Sequence, residues 1–150
     1  TAIHALANGV QVDGLILLDP LLVTNEGLTR AVWAVSGIPP WLVSLAGWAA
    51  HTWHGFPAPG AQALDLAADL TLPVLAIQDP GDPVTPAKPL VALASRRDNI
   101  ELWLAPEIAA DDPRLADKGR WGSHVAAFGL FPRQTMAQVT GFIARTTPTD

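Results

Sequence analysis

The sequence contains no cysteine, which removes disulfides, thiolate metal sites and a thiol nucleophile together, and leaves the redox compartment open. It also lacks any cluster of basic residues. Nine Lys and Arg are scattered among fourteen Asp and Glu, for a net charge of -5, so nothing offers an electrostatic footprint to a phosphate backbone or an anionic membrane. Nucleic acid is not an expected partner. From Ala31 to Leu64 formal charge is missing altogether, with His51 and His54 the sole titratable groups. That gap invites a transmembrane reading, but Gly37, Pro39, Pro40, Gly47, Pro57 and Pro59 cut it into pieces too short to cross a bilayer, and no stable span is expected. No basic segment followed by an apolar run opens the chain, and its first residue is Thr1; a further portion upstream is expected. The compartment stays undetermined, the cytoplasm being favoured.

What is present points to one folded domain. Of 150 residues, 49% are hydrophobic and 15% charged, the reverse of a disordered composition and enough to bury a core. Thr1 to Asn8 reads as the tail of a helix stopped by Asn8-Gly9. Val12 to Leu18 is an apolar run broken by Asp13 and Gly14, as in a parallel strand buried on both faces, and it ends at Asp19-Pro20. Val74 to Ile77, launched by Pro73, is a second such strand, followed by Asp79-Pro80-Gly81-Asp82-Pro83. Ile100 to Leu104 alternates with Glu101 and Trp103 and fits a more exposed edge strand. Between the strands lie helical patterns. One runs from Ala61 to Leu70, with Leu64, Ala67 and Ala68 inward and Asp65 and Asp69 outward. Another begins at Thr85-Pro86 or Pro89, where Thr would serve as N-cap, and the last spans Pro132 to Arg145 with Met136, Val139, Phe142 and Ile143 on its buried face. Strands alternating with helices predict an α/β fold with a parallel sheet of about three strands. Leu21 to Gly60 interrupts the alternation and holds Trp33, Trp41, Trp48 and Trp53, which reads as a small helical lid over the C-terminal edge of the sheet or as ordinary aromatic packing in an insertion.

Open parallel sheets bind ligands beyond the carboxyl ends of their strands, which singles out Asp19, Asp79, Asp82 and His124. A His with a carboxylate partner is the general-base pair of nucleophilic catalysis. The nucleophile itself is absent: there is no G-x-S-x-G, and Ser36, Ser44, Ser95 and Ser123 sit on no strand-to-helix turn. Asp79 and Asp82 share one short loop and cannot flank a sugar as paired carboxylates do. His51 and His54 have the spacing of metal ligands but no carboxylate or cysteine nearby, so neither a metal nor another cofactor is expected. Glu107, Asp111, Asp112 and Asp117 make Pro106 to Arg120 a solvated excursion, and Thr146 to Asp150 a loose tail.

In their order and spacing these segments resemble the C-terminal half of an α/β-hydrolase. The first eight residues are similar to the helix after the nucleophile elbow of that family. Val12-Asp13-Gly14-Leu15-Ile16-Leu17-Leu18-Asp19-Pro20 is similar to its sixth strand and Leu72-Pro73-Val74-Leu75-Ala76-Ile77 to its seventh. Asp82-Pro83-Val84-Thr85-Pro86 looks like the acid-bearing loop and Trp121-Gly122-Ser123-His124 the histidine loop. One departure is Asp79, where the family usually has glycine. The resemblance implies that Asp82 is the triad acid, with Asp19 as the alternative, and His124 the base, and that the nucleophile and the oxyanion-hole donors lie upstream of Thr1. It implies a hydrolase of esters or similar acyl bonds, and the uncharged, Trp-rich insertion suggests a small apolar acyl substrate. Two alternatives stay open: an Asp-nucleophile hydrolase of the dehalogenase or epoxide hydrolase type, and a non-catalytic α/β binding module. The chain alone is expected to be inactive and to need its N-terminal half, or oligomerisation, for stability.

Overall fold

A computed structural model of the protein describes residues 2–55 and 62–147. The chain runs α1 (Ala2–Ala7), β1 (Leu15–Leu18), α2 (Thr24–Ser36), α3 (Pro40–His54), α4 (Gln62–Asp69), β2 (Val74–Gln78), α5 (Ala87–Ala94), β3 (Ile100–Leu104), α6 (Ala126–Leu130) and α7 (Pro132–Thr146). The fold is α/β: β1 and β3 both pair in parallel with β2, in the order β1-β2-β3. Leu15 lies opposite Val74, and Val74 opposite Ile100, so all three strands start at one level and deliver their following residues to one edge. The segment 56–60 that closes the insertion, and the end of the tail, lie outside the described residues.

Strand β2 is buried along its whole length, and its alternation divides the core. Val74 and Ala76 face a cluster with Ile3, Leu15, Ala67, Leu70, Leu90 and Leu93. Leu75 and Ile77 face the opposite cluster, with Ala105, Ala127 and Phe142. Gly14, just before β1, is required by this packing, because a Cβ there would stand 3.0 Å from the Phe142 ring.

Several expectations are corrected. β1 is shorter than Val12 to Leu18 and less buried than β2, Leu18 and Val12 being exposed. The buried positions of α7 are Thr135 and Phe142, with Val139 packed beside them, whereas Met136 and Ile143 face outward. The helical period was legible, but its phase is set by Thr135, whose hydroxyl donates to the Ala127 carbonyl at 3.0 Å and so enters the core with its polar atom satisfied. Helix α5 starts at Ala87, with Pro86 as its N-cap and no side-chain capping bond. Thr85 is engaged elsewhere. The excursion 106–120 is not all solvated: it contains 3₁₀ turns at Pro113–Leu115 and Gly119–Trp121 and buries Leu115.

Candidate active site

The turn after β2 is organised by carboxylates. Asp82 is buried, and its Oδ1 accepts the amides of Val84 at 2.7 Å and Thr85 at 2.9 Å. Such bonds from an Asp to the backbone two and three residues on are the local chemistry that makes Asp a turn former. Its Oδ2 accepts the Thr85 hydroxyl and lies 2.8 Å from Nδ1 of His124. Four donors thus converge on one carboxylate, a setting that compensates a buried charge. With an acceptor-only carboxylate at Nδ1, the imidazole proton belongs on that nitrogen and the lone pair on Nε2.

His124 comes from the loop between β3 and α6, and the backbone there is unusual on both sides of it. Gly122 has φ 51° and ψ -125°, and Val125 has φ 56°, the latter a costly left-handed conformation for a β-branched residue. Gly122 also abuts the acid loop, since a Cβ on it would meet Pro83 Cγ at 3.3 Å. The Trp121 ring stacks on the imidazole at 5.2 Å between centroids and 26° between planes. Together Asp82 and Trp121 hold the ring, whose side chain remains 18% exposed. The arrangement is that of an oriented imidazole able to take up and release a proton at Nε2.

Asp19, at the end of β1, does not reach His124 through a hydrogen bond. Its Oδ1 instead accepts the Asp79 amide at 2.7 Å. Burial pushes its carboxyl from 3.8 up to about 6; the Asp79 amide works against that rise, and the neighbouring carboxylates of Asp82 and Asp79 add to it. Asp79 accepts the Gly81 amide on Oδ1 at 2.9 Å, and its buried Oδ2 has no hydrogen-bond partner among the described residues. The structure therefore brings Asp82 and His124 together and gives Asp19 and Asp79 to the turn itself.

No family model matches the sequence, and no curated protein matches it. Among solved structures, the chain is similar to the Pyrococcus furiosus esterase Pf2001, at a TM-score of 0.63 and 18% identity over 98% of this chain and 50% of that one. A second crystal form of the same esterase gives 0.57 and 17%, over 96% and 48%. The likeness is one of fold. This chain spans about half the length of the esterase it matches.

Other candidates do not join the site. Ser36 and Ser95 donate to the carbonyls of Val32 and Ala92 in their own helices. Ser123 is buried beside His124. His51 and His54 lie on α3, which has no buried residue; among the described residues no three His, Asp or Glu gather as metal ligands. Two arginines that the sequence reading passed over tie α2 to the site. Arg30 donates to the Pro83 carbonyl at 3.2 Å, and the Arg120 guanidinium lies 5.8 Å from the centre of the Trp33 ring. Both contacts link residues far apart in sequence, and no local pattern announces them. Thr85, expected as a helix N-cap, instead gives its hydroxyl to Asp82. Of the insertion's tryptophans, Trp33 is half-buried, whereas Trp41, Trp48 and Trp53 are exposed.

Proposed function

We propose that Asp82 and His124 are the acid and base of a serine-type ester hydrolase of the α/β-hydrolase kind, and that this chain supplies the C-terminal half of its active site. The supporting observation is the 2.8 Å contact between His124 Nδ1 and an Asp82 carboxylate already fixed by two amides, at the strand edge where parallel sheets carry their sites. A serine on a turn preceding Thr1 attacks the acyl carbon, and its proton passes to Nε2 of His124. The imidazolium, steadied by Asp82, returns that proton to the leaving alcohol. Water then repeats the sequence on the acyl-enzyme. The Trp-rich insertion of α2 and α3, held to the acid loop through Arg30, is read as the wall that receives an apolar acyl group, because from Ala31 onward it carries no formal charge.

The test is ester turnover by a protein that includes the segment before Thr1. His124→Ala is expected to lower kcat by about three orders of magnitude or more while KM stays within a few-fold, and Asp82→Asn to cost on the order of 10⁴ by selecting the wrong tautomer. Undiminished turnover in His124→Ala would sink the reading. A harmless Asp82→Asn with a crippling Asp19→Asn would transfer the acid role to Asp19.

A further inference from the structure

Asp19 has no part in the acid–base pair, yet its placement is unfavourable on three counts. It is a carboxylate only 6% exposed, it adopts φ 41°, outside the comfortable region of an L-residue, and it shares its surroundings with the carboxylates of Asp79 and Asp82. One contact sets against these costs, the 2.7 Å bond from the Asp79 amide to Oδ1. That bond begins a short chain of constraints. The Asp79 side chain accepts the Gly81 amide, and the Asp79 carbonyl accepts the Asp82 amide at 3.3 Å. Asp19 itself is anchored, its amide donating to the Ile77 carbonyl at 2.8 Å. The orientation of the Asp79 peptide therefore sets where the turn places Asp82.

Resting on the hydrolase reading above, we propose that Asp19 is a positioning residue for the Asp82–His124 pair: it holds the Asp79 peptide through Oδ1, so that the Asp79–Asp82 turn carries the Asp82 carboxylate to His124 Nδ1. The role needs an acceptor at that point in space, and an amide oxygen can fill it. Asp19→Asn keeps the acceptor and Asp19→Ala removes it.

The experiment follows the turn by NMR. The amides of Val84 and Thr85 bond Asp82 Oδ1 and are protected from exchange while the turn is in place; the Nδ1 proton of His124 is visible while Asp82 shields it. Asp19→Ala is expected to speed exchange of both amides about tenfold or more and to abolish the Nδ1 resonance, with the Leu75 and Ala76 amides of β2 unchanged. Asp19→Asn is expected to restore the wild-type signals. Unchanged turn amides in Asp19→Ala overturn the proposal, and so does an Asn variant that behaves like Ala. Loss of β2 protection in step with the turn, or failure of Asp19→Ala to fold, overturns it as well, because Asp19 would then hold the domain and not the turn. None of these signals depends on turnover. An intact Asp82–His124 bond in a protein without ester activity would count against the hydrolase reading alone.

Discussion

Asp82 satisfies its buried carboxylate with four donors, whereas Asp19 has one, and the difference governs how each charge is tolerated. For Asp19, burial outweighs the single amide, and its carboxyl rises from 3.8 to about 6. A carboxyl raised on folding binds its proton more tightly in the native state, so its contribution to stability is complete below pH 3.8 and is lost as pH rises through about 6. The loss amounts to roughly 3 kcal/mol at neutral pH. Asp19→Asn removes that dependence, and its stability relative to wild type is expected to improve by about this amount between pH 4 and pH 7. Urea unfolding at a series of pH values checks it; a difference constant with pH would show that Asp19 titrates normally. Asp82 and His124 were legible in the sequence through the resemblance of their local strings to the acid-bearing and histidine loops of the α/β-hydrolases. The service of Thr85 to Asp82 was not, because Thr before Pro reads equally well as a helix cap, and only the position of the Asp82 carboxylate decides between the two.

At the scale of elements, the histidine loop is a short segment held in costly backbone. Gly122 combines a positive φ with a 3.3 Å approach to Pro83, so Gly122→Ala meets both a disfavoured conformation and the acid loop. The expected cost is about 1–3 kcal/mol, read as a lower denaturation midpoint, together with loss of the His124 Nδ1 resonance as the two loops separate. An Ala variant of wild-type stability would mean that the loop accommodates a side chain by moving. The insertion behaves as two unlike helices. Through Arg30 and Trp33, α2 meets the acid loop and the turn carrying Arg120, while α3 packs against α2 and leaves Trp41 at 68% and Trp53 at 72% exposure. The sequence foretold both the lack of charge and the tryptophans. It could not say that α2 would meet the acid loop, since Arg30 and Pro83 lie 53 residues apart, and α3, apolar all round, has no side that its pattern assigns inward.

For the whole molecule, the imbalance lies on the β1 side. Among the described residues β1 pairs only with β2, Leu18 is exposed at its end, and a cavity of about 200 Å³ lined by Ile3, Ile16, Leu17 and Leu22 opens beside it. Unpaired strand edges with apolar flanks recruit other chains. The 150-residue chain on its own is expected to self-associate as concentration rises, detected as a growing sedimentation coefficient. A monomer across that range with a cooperative melt would show that this edge is adequately protected. No helix among the described residues is long and apolar enough to cross a membrane; Gly37, Pro39 and Pro40 mark the break between α2 and α3 in the uncharged stretch, whereas Gly47 lies within α3, and Pro57 and Pro59 fall outside the described residues.

The sequence by itself determined the α/β class, the three parallel strands, the approximate helices and the four candidates that follow the strands, Asp19, Asp79, Asp82 and His124, among which only the family resemblance pointed to Asp82 and His124. These are local matters of hydrophobic period, of turn residues, and of which side chains follow a strand. Tertiary structure decided the rest: that Thr135 and not Met136 faces the core, that Asp19 serves the Asp79 peptide while Asp82 takes His124, and that Arg30 and Arg120 fasten α2. Each of these depends on distances between segments tens of residues apart, and a pattern with a period of two or four residues carries no information about them.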